Sequence, residues 1–443
     1  MKTYVTIADT IAARIQSGDL RVGEKLPSQR IFAYDNGIAS STAGRVYAEL
    51  VKRGLITGEV GRGSYVLTPP TPKDISAVLE ARSDMPLDLE TSFPIIENQS
   101  KLMAPALQEL SRPDVLDGAM RPARSRGNNE LQGHGNIASQ YLGYDDWKPD
   151  ASSILFTGSG RQAIGTAITA LVPVGGRLGV EAFTYPILKG FAANLGRDLV
   201  PVAMDDEGLM PDAVRHAHQS RSIDAVYVQP SLHNPTGCTM SLLRRQQIAK
   251  VARELDLPTI EDQVYRFLMK DKLPPIARFA PDQIILLDSL SKRLAPGLSV
   301  GFLAAAKHHA AKLSAVMSQC GWAAPTFAIE ATTRWISDGI IEQLDKLKQA
   351  EIAKRWAIAH AILDPYLETP STQACHLWLQ LPKHWQCDNF VTAAAIQGIA
   401  IAPGTAFAVQ RPSNHVRISL VSVSQDNLKV ALGKLRAILD EGS

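Results

Sequence analysis

Residues 68–72 read Thr-Pro-Pro-Thr-Pro. Prolines at this density fit neither a helix interior nor a central strand, so the stretch predicts a stiff, extended connector. The expected organisation of the 443 residues is therefore a short piece over 1–67, a proline-rich linker over 68–84 and a long piece over 85–443. The short piece holds nine Lys or Arg against six Asp or Glu, a balance of +3 in a chain whose net charge is +2. The positive excess of a near-neutral chain thus sits in its smaller part, a mild footprint for a polyanion. A 45% hydrophobic, 20% charged composition excludes a disordered chain. No apolar run reaches the roughly 18 residues a membrane span needs. The first twenty residues lack the apolar core of a secretory leader. The cysteines Cys238, Cys320, Cys375 and Cys387 form no C-x-x-C pair. They are expected to be reduced and buried, in a cytoplasmic protein without a metal site or a membrane anchor.

In the short piece, Ile7, Ile11 and Ile15 recur at helical spacing, and Gly18 ends that helix. A second helix is expected from Pro27-Ser28, with Ile31 and Phe32 on its apolar face and a turn at Asp35-Asn36-Gly37. Ser40 and Ser41 are candidate caps for a third helix that turns Val46, Tyr47 and Leu50 inward. Residues 55–66, LITGEVGRGSYV, alternate about Gly61-Arg62-Gly63, which predicts a β-hairpin with a glycine-rich tip. Helix, helix–turn–helix and hairpin together make the winged-helix plan, in which the third helix enters the major groove of DNA. The run GDLRVGEKLPSQRIFAYDNGIASSTAGRVYAELVKRGLITGEVGRGSYV resembles the GntR family of bacterial DNA-binding domains over nearly all of residues 4–67. That resemblance implies double-stranded DNA as the partner and Arg30, Thr42, Arg45, Arg62 and Gly63 as the contacts. Ser40 stands where the family usually has Arg.

From about residue 150, short apolar runs alternate with helical stretches: SSILFTG, RLGVEA, LVPVAM, AVYVQP, LPTIED, IILLDS and VGFLAA. Such alternation predicts an α/β domain with a largely parallel sheet, whose functional groups sit on loops at the carboxyl ends of strands. Five words lie on those loops, and a sixth lies near the C-terminus. FTGSGRQAI (156–164) passes through Gly-Ser-Gly into a helix, an arrangement suited to an anion. EAFTYP puts Tyr185 at a strand end, and YVQPSLHNPTG puts Asn234 in a polar turn. IEDQVYRFL spaces Asp262 and Tyr265 three residues apart. SLSKRLAPGLSVGF sets Lys292 after a buried strand with Ser289 and Ser291 before it, a pattern suited to a Schiff-base lysine. NHVRISL places Arg417 on a short strand, suited to a carboxylate. Each word alone is compatible with a structural role.

In this order the six resemble the fold-type I pyridoxal-phosphate aminotransferases, across roughly residues 85–440. The resemblance implies pyridoxal 5′-phosphate as cofactor and Lys292 as its covalent anchor. It gives Asp262 to the ring nitrogen, Asn234 and Tyr265 to the ring hydroxyl, and Tyr185 to the ring face. Gly160, Arg161, Ser289 and Ser291 fall to the phosphate, and Arg417 to the α-carboxylate of an amino-acid effector. Two departures stand out: Ser299 replaces the family's phosphate-binding Arg, and no Tyr occurs between Tyr65 and Tyr141, where relatives carry one that reaches the partner subunit's cofactor phosphate. Arg161 is expected to supply the missing charge.

A GntR-type winged helix joined to such a domain resembles the MocR subfamily of transcription regulators. That resemblance implies a head-to-tail homodimer, with the linker passing the state of Lys292 to the DNA-binding part. An active transaminase with an accessory DNA-binding domain is the alternative, and a cofactor-free DNA-binding scaffold a third reading. His308-His309 and His216/His218 are expected on surface helices, and Glu342, Asp345, Lys346 and Lys348 on a solvated helix face.

Overall fold

The computed structural model describes residues 4–16, 19–20, 24–52, 55–59, 63–66, 85–94, 96–120, 128–367, 373–410 and 413–441. The linker expected over 68–84 and the wing residue Arg62 lie outside the described residues. The chain divides into two compact units, Met1–Ala77 and Val78–Ser443.

In the first unit, helix Tyr4–Gln16 buries Ile7, Ile11 and Ile15, one residue per turn. Ser28 caps helix Gln29–Asp35 by accepting the Ile31 N–H, with Pro27 just outside the cap. The expectation for Ile31 fails. It is 55% exposed, and the face turned inward carries Ala33 and half-buried Phe32, whose ring meets Tyr47 edge-on at 5.3 Å. Helix Ser40–Lys52 buries Val46, Tyr47 and Leu50 as expected. Its cap is Ala39 rather than Ser40 or Ser41, since the Ala39 carbonyl already accepts from Thr42 and Ala43. The Tyr47 hydroxyl donates to the Pro27 carbonyl at 2.6 Å and ties the third helix to the start of the second. Strands Ile56–Glu59 and Gly63–Val66 form the expected antiparallel hairpin, with Glu59 opposite Gly63. A two-residue strand, Lys25–Leu26, adds to its far edge; at that length it leaves no periodicity to read.

The second unit is built on a seven-stranded sheet. Its order is Ile154–Thr157, Gly301–Ala304, Ile284–Ser289, Thr259–Asp262, Ala225–Val228, Arg177–Glu181 and Asp198–Val202. Gly301–Ala304 runs antiparallel to both its neighbours and every other pairing is parallel. The inner parallel strands Ala225–Val228, Thr259–Asp262 and Ile284–Ser289 are buried along their whole length, as a parallel sheet covered on both faces requires. Alternate residues feed opposite cores: Val226, Val228, Ile284 and Leu286 join one, and Ala225, Tyr227, Ile285 and Leu287 the other. A third core lies around the antiparallel strands His376–Gln380, His415–Ser419 and Ala402–Pro403. His415–Ser419 is the middle strand, so Arg417 stands on a central strand and is only 5% exposed. Helix Ile340–Leu363 spans two cores, giving Ile341 and Leu344 to the first and Ile352, Trp356 and Leu363 to the third.

Among the described residues no helix is long and apolar enough to cross a membrane, and no cluster of three metal-ligating side chains occurs. Cys375 and Cys387 are buried, but Cys320 is exposed, contrary to expectation, at the end of helix Lys307–Gln319.

Candidate functional site

Three neighbouring strands deliver their next residues to one sheet edge. Thr259–Asp262 is buried along its length and ends on Asp262. Ile284–Ser289, beside it, ends on Ser289, with Lys292 in the following turn. Ala225–Val228, on the other side, leads through Gln229 to Asn234. Helix Gly160–Leu171 begins at the same edge, with Ser159 as its cap. A cavity of about 400 Å³ opens there. Gly160, Arg161, Tyr185, Asn234, Asp262, Tyr265, Ser289, Ser291 and Lys292 all line it.

The two ends of the cavity differ chemically. At one end the Asp262 carboxylate accepts from the Tyr227 hydroxyl at 2.5 Å, the Val264 N–H at 2.9 Å and the Gln229 amide at 3.3 Å. Burial pushes its pKa up, while those three donors work against the shift. The same Gln229 side chain accepts from the Asn234 N–H at 3.2 Å, so one amide positions both residues. At the other end, Ser289 Oγ lies 3.2 Å from Ser291 Oγ and 3.0 Å from Ser299 Oγ. Gly160 is packed against this group: an added Cβ would come within 2.8 Å of Ser289 Cβ. A helix N-terminus beside three hydroxyls is a place for an anion.

Lys292 lines the same cavity, its Nζ 3.7 Å from the centre of the Phe93 ring. Burial lowers its pKa to about 7, helped by Arg417 and Arg161 and opposed by Cys375 and Asp262. At neutral pH a large share of this amine is therefore unprotonated and nucleophilic. Arg417 reaches the group from the third core: its Nη1 donates to Asn234 Oδ1 at 3.0 Å and its guanidinium lies over the Phe407 ring at 4.9 Å. Its Nη2 donates to the Glu90 carbonyl. Tyr185 caps helix Pro186–Asn194, and Arg161 hydrogen-bonds its side chain. Phe93, Tyr227 and Gln229 were missed by sequence reasoning. The two on the Ala225–Val228 strand and its continuation carried a signal, since residues two apart share a face.

In the winged-helix unit, Arg30 and Arg45 are exposed and Thr42 is half-buried in the first turn of its helix. The Arg45 guanidinium lies over the Tyr4 ring, 4.1 Å from its centre. Gly63 opens the second wing strand.

Residues 135–435 match the family described as "Aminotransferase class I and II". The chain belongs to this family. Residues 3–66 match "Bacterial regulatory proteins, gntR family", so the aminotransferase-family unit follows a GntR-type helix–turn–helix unit, the make-up of the MocR subfamily. Relatives share this arrangement along their whole length. The HTH-type transcriptional regulator YdeF of Bacillus subtilis is 27% identical over 99% of this chain and 94% of its own. PtsJ of Salmonella typhimurium, named as a vitamin B6 salvage pathway transcriptional repressor, is 24% identical over 99% of both chains. Among solved structures, the kynurenine aminotransferase of Pyrococcus horikoshii superposes with a TM-score of 0.73 at 21% identity, covering 83% of this chain and 94% of that one. An archaeal alanine:glyoxylate aminotransferase gives 0.72 at 20%, covering 82% and 92%. These likenesses establish the fold.

Fold-type I aminotransferases depend on pyridoxal 5′-phosphate. The residues present fit that group: a lysine of lowered pKa, a buried carboxylate at one end, and hydroxyls with a helix N-terminus at the other. Ser299 adds a third hydroxyl to this group and no charge.

Proposed function

We propose that this chain is a DNA-binding transcriptional regulator whose aminotransferase-like unit responds to pyridoxal 5′-phosphate, to an amino-acid-like effector, or to both. The observation that carries this reading is a winged-helix unit in one chain with a cavity gathered around Lys292 and Asp262. Relatives aligned over nearly the full length and named as transcriptional regulators support it. Residues 1–67 bind DNA, 68–84 connect, and 85–443 sense, in a homodimer of two such chains.

Lys292 is the covalent anchor of the cofactor. When bound, the cofactor supplies an aldehyde that joins a primary amine to an electron-withdrawing ring. Asp262 holds a proton at the ring nitrogen, and Asn234 and Tyr265 hold the ring hydroxyl. Tyr185 covers the ring face. Gly160, Arg161, Ser289 and Ser291 receive the phosphate. Arg417, hydrogen-bonded to Asn234, would receive the effector's carboxylate. In the DNA complex, Arg30, Thr42, Arg45, Arg62 and Gly63 make the contacts. A ligand shifts DNA affinity only by binding one state of the protein better than another.

The test is binding of the purified protein to the DNA upstream of its own coding region, as a function of salt. Specific binding whose logarithm falls linearly with log salt supports the reading; its absence at that site and across a genomic fragment library refutes it. Lys292, Asp262 and Arg417 in one arrangement favour a second reading, an active transaminase. Steady consumption of an amino acid with a keto acid would establish it.

A further inference from the structure

Asp345 and Lys348 do not lie on a solvated face. The spacing of Glu342, Asp345, Lys346 and Lys348 on helix Ile340–Leu363 predicts one, and half of the expectation holds, since Lys346 and Glu342 pair at the surface at 2.8 Å. Asp345 and Lys348 are buried, with 6% and 0% exposure. The Lys348 amine donates to the Lys292 carbonyl at 3.2 Å and to the Arg293 carbonyl. In that turn the backbone closes Leu294 N–H onto Leu290 O at 2.7 Å. The carbonyl of the reactive lysine and that of the next residue go to Lys348 instead. Arg293 pairs with Asp288 at 3.0 Å and with Asp345 at 3.5 Å. Gln349 donates to the Phe267 carbonyl at 2.6 Å, two residues past Tyr265. Residues 345, 348 and 349 share one helix face. One helical turn therefore grips both loops that bring Lys292 and Tyr265 to the cavity.

A buried ammonium is expensive to desolvate, and an apolar side chain of similar length is often as stable in its place. Stability alone gives no reason for a charge here; two carbonyls beside Lys292 do. We propose that Lys348 is a positioning residue that fixes the backbone of Lys292 and so aims its amine at the cofactor aldehyde. The inference rests on the cofactor reading above. Capture forms a C=N bond between Nζ and the aldehyde carbon, and the aldehyde oxygen leaves as water with both hydrogens of the neutral amine. Such a step is sensitive to aim: a displacement of about 1 Å costs on the order of a hundredfold.

The experiment compares the wild-type chain with Lys348→Met and Lys348→Arg, using two probes. Pyridoxal phosphate bonds to Lys292; pyridoxamine phosphate carries an amine in place of the aldehyde and does not. Lys348→Met is expected to slow pyridoxal phosphate capture at least about tenfold, leave pyridoxamine phosphate affinity within about threefold, and be rescued by Lys348→Arg. Unchanged capture, parallel loss of both ligands, or no rescue would overturn the proposal. If Lys348→Met does not fold, Lys348→Gln is read in the same way. A wild-type chain that binds neither probe would overturn the cofactor reading and this inference together; a wild-type chain that binds both while the variant behaves alike overturns only this one.

Discussion

Ser299 Oγ lies 3.0 Å from Ser289 Oγ. The Ser299 hydroxyl adds no charge to the proposed phosphate site, and among the described residues lining the cavity the cations are Arg161 and Lys292. A hydrogen bond to a charged group contributes about 1.5–3 kcal/mol. Arg161→Ala is therefore expected to weaken pyridoxal phosphate binding about 10- to 100-fold, and Ser299→Ala less than about fivefold. Equilibrium titration of the cofactor absorbance measures both, and equal small effects would show that Arg161 does not carry the phosphate.

Lys292 should set the pH dependence of cofactor capture. Burial lowers its pKa from the ordinary 10.5 to about 7. A lowered lysine pKa means the neutral amine predominates above that value, so the capture rate should rise through pH 7 and level off above it. A lysine in water would continue to gain until beyond pH 10. Stopped-flow capture by the cofactor-free protein between pH 5.5 and 9.5 gives the midpoint.

Tyr227 and Asp262 form a second testable pair. Tyr227→Phe removes one of three donors that favour the charged form of the buried carboxylate against the effect of burial. The Asp262 pKa should rise further, and cofactor affinity should fall by about 1 kcal/mol, roughly fivefold. Asp262→Ala should do more, because it leaves the Tyr227 hydroxyl and Gln229 amide without an acceptor. A stability loss of about 1–3 kcal/mol is expected by urea unfolding.

Arg45 is held over Tyr4 with its guanidinium exposed on the third helix of the winged unit. If it meets a phosphate, Arg45→Ala should weaken binding evenly across sequences and reduce the salt slope by about one. If it reads a base edge, the loss should fall on one position of the site, by about 1–3 kcal/mol. Binding to a set of single-base variants at several salt concentrations separates the two.

The seven sheet strands were legible because each is a short, mostly apolar run between helical stretches, and each such run became a strand. The winged unit was legible for a different reason: Ile7, Ile11 and Ile15 keep helical period, and Gly61-Arg62-Gly63 interrupts a period of two. The residues around the cavity could be named because they follow strand ends in order. Features decided by tertiary contact could not be read. Ile31 looks like core but faces out, and Asp345 and Lys348 look like surface but are buried. Charge spacing on a helix reports its period, not which face is covered. Gln229 bonds Asp262 and Asn234 only because two strands lie side by side.

In the proposed regulator, the state of the Lys292 cavity governs DNA binding. The most direct measurement is the affinity of the full-length chain for the DNA upstream of its own coding region, with and without pyridoxal phosphate, for wild type and Lys292→Ala. A change of at least about fivefold is expected in the wild type, the lower end of allosteric coupling, with loss of that change in Lys292→Ala. Equal affinities with and without pyridoxal phosphate in a wild type shown to carry it would mean that the cavity does not govern DNA binding.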